Sequence, residues 1–333
     1  MRHRIPFLDM LRGFAISGIL LVNIGEITSL GHDLPPTEGP AEPAMQVLYY
    51  LVSARFVPIF MLLFGISMGL IWRSLRERGE RGWPQLLRRM LSLTGFGLLH
   101  MLLYPGEVLT TYGVGGLLVL PLVLFCSARV LLVIGTVATL AAVALGGGAL
   151  AIPGLFCLGA AFVGYGVPER LDAGDRWVRR ALLVLGVLTA AAVAWQTTEP
   201  GDPRFTTAGG VAGMVQAGLY ITGLSVLWQT RARRLLSALF TPLGRMAFSN
   251  YLGATALSVP LGRLLGLSTS TTVLPALGLA VAVLIVQNLF SRWWLEHFAY
   301  GPMEWVWRSV TRWQVVSLRR TEQQVLPAAA AQV

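Results

Sequence analysis

The stretch Leu8-Asp-Met-Leu-Arg-Gly-Phe-Ala-Ile-Ser-Gly-Ile-Leu-Leu-Val-Asn-Ile-Gly-Glu-Ile-Thr-Ser29 decides how the chain is read. As a helix it is long enough to cross a hydrocarbon core of about 30 Å, which takes about 20 residues. It follows a basic Met1-Arg-His-Arg4 but carries Asp9, Arg12, Asn23 and Glu26, too long and too charged for a cleaved secretion signal. It reads as an uncleaved signal-anchor helix.

Comparable apolar stretches recur at 50–72, 87–104, 108–126, 130–150, 151–167, 181–196, 208–229, 246–265 and 272–291. Backbone polar groups in lipid must be satisfied within their own segment, so each is expected to be a helix. The predicted fold class is an all-α, polytopic integral membrane helical bundle of about ten transmembrane helices. Without the short stretches 151–167 and 181–196 the number is eight. A chain that is 55% hydrophobic and 13% charged is not an ordinary soluble domain.

Arginine sets the orientation. All 26 basic residues are Arg, and 23 fall on alternate connections, leaving only Arg55, Arg204 and Arg263 on the other side. The positive-inside rule then puts both termini in the cytoplasm, N-in/C-in. The net charge of +10 fits cytoplasmic loops facing anionic membrane lipids. No basic patch with interleaved aromatics remains once these positions are removed, so nucleic acid is not an expected partner. Cys126 and Cys157 fall near opposite faces of the bilayer on this topology, so neither a disulfide nor a CxxC metal site is expected.

Residues 1–313 read as a single membrane domain and 314–333 as a cytoplasmic tail, disordered at its end. Between Ser291 and Trp313, indoles alternate with arginines, the pattern of an amphipathic helix lying in the membrane interface with its aromatic side down. Pro302 and Glu304 fit its first turn.

Ionisable groups inside spans are expensive and usually face a cavity or a partner. They form two predicted clusters. Near the cytoplasmic face lie Asp9, Arg12, Arg245, Asn250 and Tyr251. Asp9 and Arg12, three apart, share a helix face. They either pair to orient the first helix or hold the head of an anionic ligand, and Gly244-Arg-Met-Ala-Phe-Ser-Asn-Tyr251 would add free helix amides to such a site. Near the outer face lie Asn23, Glu26, Arg55, His100, Glu107, Tyr112 and Arg263.

His100 sits in a hairpin turned by Pro105-Gly106, with Glu107 opening the next helix and Tyr112 about one turn deeper. An imidazole beside a carboxylate can take a proton from a hydroxyl or amine, while a lone His in an apolar helix can equally be a packing residue. Arg55 could stabilise an oxyanion or snorkel to the interface. Gln216, Gln287 and Asn288 read as interhelical contacts.

The segments Arg4 to Ile24, His100 to Tyr112, Gly244-Arg-Met-Ala-Phe-Ser-Asn-Tyr-Leu252 and Gly301-Pro-Met-Glu-Trp-Val-Trp-Arg308 together resemble the YeiB-like bacterial membrane family defined by domain of unknown function 418. Two positions depart from that family's pattern: Glu107 stands where Asp is usual, and Ala254-Thr255 where Gln-Ser is usual.

The family is in turn distantly similar to transmembrane acyltransferases. The resemblance implies acyl-CoA as co-substrate, bound from the cytoplasm, a small-molecule, sugar, peptide or lipid-linked acceptor beyond, and a multi-pass location in the bacterial cytoplasmic membrane. On that scheme His100, Glu107 and Arg55 are catalytic. Asp9, Arg12, Arg245 and Asn250 bind the donor, Asn23, Glu26, Tyr112 and Arg263 bind the acceptor, and no metal is required. The alternative is a transporter or exporter of a small polar or lipid-linked molecule, with the same charges as substrate sites.

Overall fold

Proline opens six of the helices, where its missing N–H costs nothing and its fixed φ suits the first turn: Pro6, Pro43, Pro84, Pro168, Pro275 and Pro302. The computed structural model describes residues 4–35, 42–80, 82–199 and 201–319. Its helices are α1 (Pro6–Ile27), α2 (Pro43–Leu51), α3 (Phe56–Glu77), α4 (Trp83–His100), α5 (Leu109–Phe125), α6 (Ala128–Ala144) and α7 (Ala151–Gly164). They continue with α8 (Val167–Ala173), α9 (Arg176–Gln196), α10 (Thr207–Trp228), α11 (Ala232–Arg245), α12 (Ala247–Leu264), α13 (Leu274–His297) and α14 (Pro302–Arg312). Among the described residues the only β pairing is an isolated bridge between Phe298 and Arg319.

Each predicted apolar stretch forms a helix, but not all are long. Five are long and apolar enough to cross a membrane unaided: Pro6–Ile27, Pro43–Glu77 (α2 with α3), Arg176–Gln196, Thr207–Trp228 and Leu274–His297. A sixth arises if α7 and α8, bent by 73°, count together. The stretch expected at 130–150 stops at Ala144, because Gly146, Gly147 and Gly148 all take positive φ, which ends the helix. That leaves α6 with 17 residues, about 25 Å. An apolar window cannot see such a stop.

Contacts define two ends of the bundle. At one, Phe7 N donates to Asp172 Oδ1 (3.0 Å), Arg73 pairs with Glu169 (2.7 Å) and Arg88 reaches the Thr311 carbonyl (3.4 Å), so α1 starts at the same end as α14. At the other, Gly31 N donates to Leu267 O (3.1 Å), Val273 N to Glu42 (3.0 Å) and Arg204 to Glu26 (2.8 Å). The first end carries most of the arginines.

The core runs between helices in two main clusters, one uniting α3, α4, α5 and α7 around Phe156 and Tyr112, the other uniting α1, α3 and α10 around Phe7 and Trp228. α1 and α11 cross closely at Gly13 and Gly244. A Cβ at Gly13 would meet the Phe240 carbonyl, and one at Gly244 the Asp9 carbonyl.

α11 was not expected. The arginine-rich connection 231–245 is itself a helix, and Phe240 meets Phe14 edge to face (5.4 Å). The i, i+3, i+4 spacing of Leu235, Leu236, Leu239, Phe240 and Leu243 was the available signal.

α14 is a helix as expected, but two of its indoles turn inward. Trp307 is buried, bonds Ser92 Oγ (3.0 Å) and lies 3.5 Å beneath the Arg89 guanidinium. Trp305 donates to the Val316 carbonyl (2.6 Å), so the first residues of the tail fold back on α14. The end of the tail expected to be disordered lies outside the described residues.

Candidate functional site

α4 and the turn after it place His100 inside the bundle, 4% exposed, with its ring edge-on to Tyr251 (5.3 Å) and Tyr104 (6.3 Å). Neither ring nitrogen has a hydrogen-bond partner among the described residues. Buried polar groups are nearly always paired, and each exception asks for an explanation.

Glu107 does not supply the partner. Its carboxylate accepts from Leu109 N (2.6 Å) and Thr110 N (3.1 Å), capping α5. The hairpin brings the two residues close in sequence, but the open helix amides are nearer to the carboxylate and carry the positive end of the helix dipole. No hydrogen bond therefore joins His100 and Glu107.

Towards the arginine-poor end a polar network continues from His100. Tyr104 donates to Glu26 Oε2 (2.9 Å), whose other oxygen accepts from Arg204 (2.8 Å), itself held by Asp202 (2.7 Å). Burial alone would lower the Arg204 pKa, but the Asp202 and Glu26 carboxylates outweigh it and raise it above the ordinary arginine value. Glu26, named from the sequence, thus lies in this network together with Tyr104, Arg204 and Asp202, which the sequence reading did not name as site residues. Two signals existed: Tyr104 stands one turn beyond His100, and Arg204 is one of three exceptions to the arginine asymmetry.

Deeper still, a cavity of about 20 Å³, room for about one water, is lined by Asn23, Asn250, Tyr251, Ala254, Thr255 and Gln287 together with Ile16 and Leu284. Asn250 and Tyr251 therefore lie beside the middle of α1 and α13, not at the cytoplasmic end where the sequence reading put them. The reason is α11, which carries the chain inward along α1 before α12 begins. The Tyr251 hydroxyl accepts from Val108 N (3.3 Å), so the two expected clusters are joined through this residue. The Asn250 amide bonds Ser291 (3.0 Å) and Leu243 O (3.2 Å), and Gln287 donates to Asn250 O (2.7 Å), as expected of interhelical contacts.

The remaining expected site residues lie apart. Tyr112 is buried among Phe60, Phe64 and Phe156 with its hydroxyl unpartnered among the described residues. Arg263 is exposed in the last turn of α12. Arg55 is fully buried at the break between α2 and α3, donating to Gln216 (3.1 Å), Ser53 O (2.6 Å) and Gln196. Two of its five N–H groups thus tie the start of α3 to α9 and α10, and a third holds the turn that precedes it.

At the arginine-rich end, Asp9 is shared between Arg4 (2.6 Å) and Arg12 (3.2 Å), and Arg12 also reaches Ser67 (3.3 Å) and the Gly244 carbonyl (3.5 Å). The amides expected to attract an anion at the start of α12 are taken by this chain itself. Glu304 of α14 accepts from Phe248 N (2.7 Å), Ser249 N (3.2 Å) and Ser249 Oγ (2.5 Å), and Met303 N donates to Ser249 Oγ (3.0 Å). The 244–252 and 301–308 segments are therefore two halves of one interlock. Among the described residues no group of three or more His, Cys, Asp or Glu is placed to hold a metal ion.

An all-helical bundle with apolar spanning helices and a buried, unpartnered imidazole is now joined by comparison with known proteins. The family model described as protein of unknown function (DUF418) matches residues 165–314. The chain is 34% identical to an uncharacterised 39.9 kDa protein of Bacillus acidopullulyticus, over 93% of this chain and 94% of that one. It is 28% identical to YxaH of Bacillus subtilis (95% and 96% covered) and 27% to YeiB of Escherichia coli (91% and 95%). The chain belongs to the DUF418 family. No solved structure matches it.

Proposed function

We propose that this chain is an acyltransferase of the bacterial cytoplasmic membrane, crossing ten times with both ends inside and α14 at the inner interface. It moves an acyl group from cytoplasmic acyl-CoA to a hydroxyl or amine acceptor. The observation that carries the reading is His100, a buried imidazole with neither nitrogen partnered among the described residues, beneath the Glu26–Tyr104–Arg204 network. A packing histidine would satisfy at least one nitrogen.

In the proposed step His100 takes the proton from the acceptor O–H or N–H as the acceptor attacks the thioester carbonyl. The C–S bond breaks, CoA leaves as thiolate, and the imidazolium returns the proton to it. Glu107 and Tyr251 hold the hairpin and ring in place. Glu26 and Arg204, open to the arginine-poor end, are where a polar acceptor enters.

One observation favours a transporter as the second reading. α12 begins beside the middle of two other helices, above an amide-lined cavity, and α2 and α3 break at buried Arg55, features that mark substrate sites in secondary transporters. Purified protein incubated with acetyl-CoA and longer acyl-CoAs separates the two. Slow release of free CoA without acceptor, abolished by His100→Ala at normal protein level, supports the transferase. No melting shift at millimolar acyl-CoA together with no CoA release removes it and leaves the transporter.

A further inference from the structure

The structure has a second, larger concavity that the proposed chemistry has not used. It lies at the arginine-rich end, where the connection from α3 to α4 faces α14. Its volume is about 400 Å³, within the range of small-molecule sites, and Arg78, Glu80, Gln85, Arg88, Arg312 and Gln314 line it. Three arginines against one glutamate leave two positive charges uncompensated. Arg78 pairs with Glu80 (3.3 Å) and Arg88 touches the Thr311 carbonyl (3.4 Å). Among the described lining residues Pro84 alone is apolar, so the concavity suits a polar ligand better than an acyl chain.

Two further features favour an anion. Pro84 and Gln85 belong to the first turn of α4, an 18-residue helix whose N-cap residue, Gly82, has no side chain to cap it, so its dipole is directed at the concavity. Trp313, 76% exposed, stands beside the Arg88 guanidinium at 5.9 Å, a flat surface on which a base can stack.

We propose that this concavity binds phosphate esters, and that in the transferase it holds the phosphates of the acyl-CoA. The second half of the statement rests on the function proposed above; the first does not. Arginine recognises phosphate through paired, charge-assisted N–H bonds, and several arginines facing one volume do so better than the same charges spread over a surface. α4 connects this site to the chemistry. His100 is twelve residues beyond Arg88, about 18 Å along the helix, a separation of the order of an extended pantetheine arm. At the start of α12, next to Arg245, Glu304 occupies the helix amides that would otherwise face an anion.

The test uses the full chain in phosphatidylcholine nanodiscs, titrated calorimetrically with inorganic pyrophosphate and with CoA. Both are expected to bind, more weakly in high salt. Arg78→Ala and Arg312→Ala, both exposed and safe for folding, should each weaken binding about tenfold. Arg231→Ala and Arg234→Ala, exposed arginines that do not line the concavity, should leave it unchanged. Adding phosphatidylglycerol to the nanodiscs identifies the natural source: competition with pyrophosphate assigns the site to a lipid headgroup, and tighter binding of CoA without competition assigns it to the nucleotide donor. Binding indifferent to Arg78 and Arg312, or no binding of any of these ligands, overturns the proposal. Pyrophosphate binding without acyl-CoA turnover keeps the phosphate site and removes the transferase. Turnover with normal KM when Arg78→Ala and Arg312→Ala are combined keeps the transferase and removes the phosphate site.

Discussion

Replacing His100 by leucine separates a packing residue from a catalytic one, because the two readings give opposite signs. A neutral imidazole has one N–H donor and one acceptor nitrogen, and here both are buried and unpartnered among the described residues. Each such group costs about 1–3 kcal/mol, so an apolar side chain of similar size recovers about 2–6 kcal/mol. Against this stand two edge-on ring contacts, with Tyr251 at 5.3 Å and Tyr104 at 6.3 Å, worth about 0.5–1.5 kcal/mol each. Taken at the middle of both ranges, the balance is a stabilisation of about 2 kcal/mol. Denaturant unfolding in mild detergent measures it, and CoA release by the same preparation should fall about 10²–10⁴-fold. A variant destabilised by more than about 1 kcal/mol would mean the imidazole is satisfied in the native state and the argument from its free nitrogens is wrong. A stabilised variant that retained turnover would remove His100 from the chemistry.

Glu304→Ala strips three hydrogen bonds from the start of α12 and should cost about 2–4 kcal/mol, with Glu304→Gln restoring much of it; equal melting of all three proteins would refute the interlock. Burial raises the Glu304 pKa above its ordinary 4.5 despite hydrogen bonds that oppose it, so the native state binds this proton more tightly than the unfolded chain. That contribution is complete below about pH 4.5 and is lost as pH rises through the raised pKa, so the stability of the wild type relative to Glu304→Gln should fall over this window. Gly244→Ala drives a methyl into the Asp9 carbonyl and should cost about 1–3 kcal/mol, read as lost monodisperse protein on size exclusion. For topology, single cysteines introduced after replacing Cys126 and Cys157 should be labelled from outside at position 35 and protected at 80 and 232; labelling at 80 in intact cells would invert the bundle.

Much of the helix pattern was open to a reader of the chain, since apolar length and proline placement are local properties. α11 was missed because its arginines were counted as a loop when the apolar residues between them carried a helical period. The site was legible one residue at a time but not as an arrangement. His100 and Glu26 stood out because charged or titratable groups in apolar runs are costly wherever they point. That Glu107 would turn to its own helix amides, and that Tyr251 rather than Glu107 would lie against His100, depends on competition among neighbours that spacing does not reveal.

What the sequence by itself determined is the class of the molecule: apolar helices that follow one another closely, an arginine asymmetry that gives the bundle two unlike ends, and polar residues too expensive to be incidental. What only the tertiary structure decided is which of those residues meet. Glu304 caps a helix that begins 57 residues earlier, at Ala247, Arg204 reaches Glu26 across 178 residues, and Arg55 is satisfied by glutamines from two distant helices. Hydropathy acts on each segment separately and can be read along the chain. A hydrogen bond in the core depends on the positions of both partners, and those positions exist only once the helices have packed.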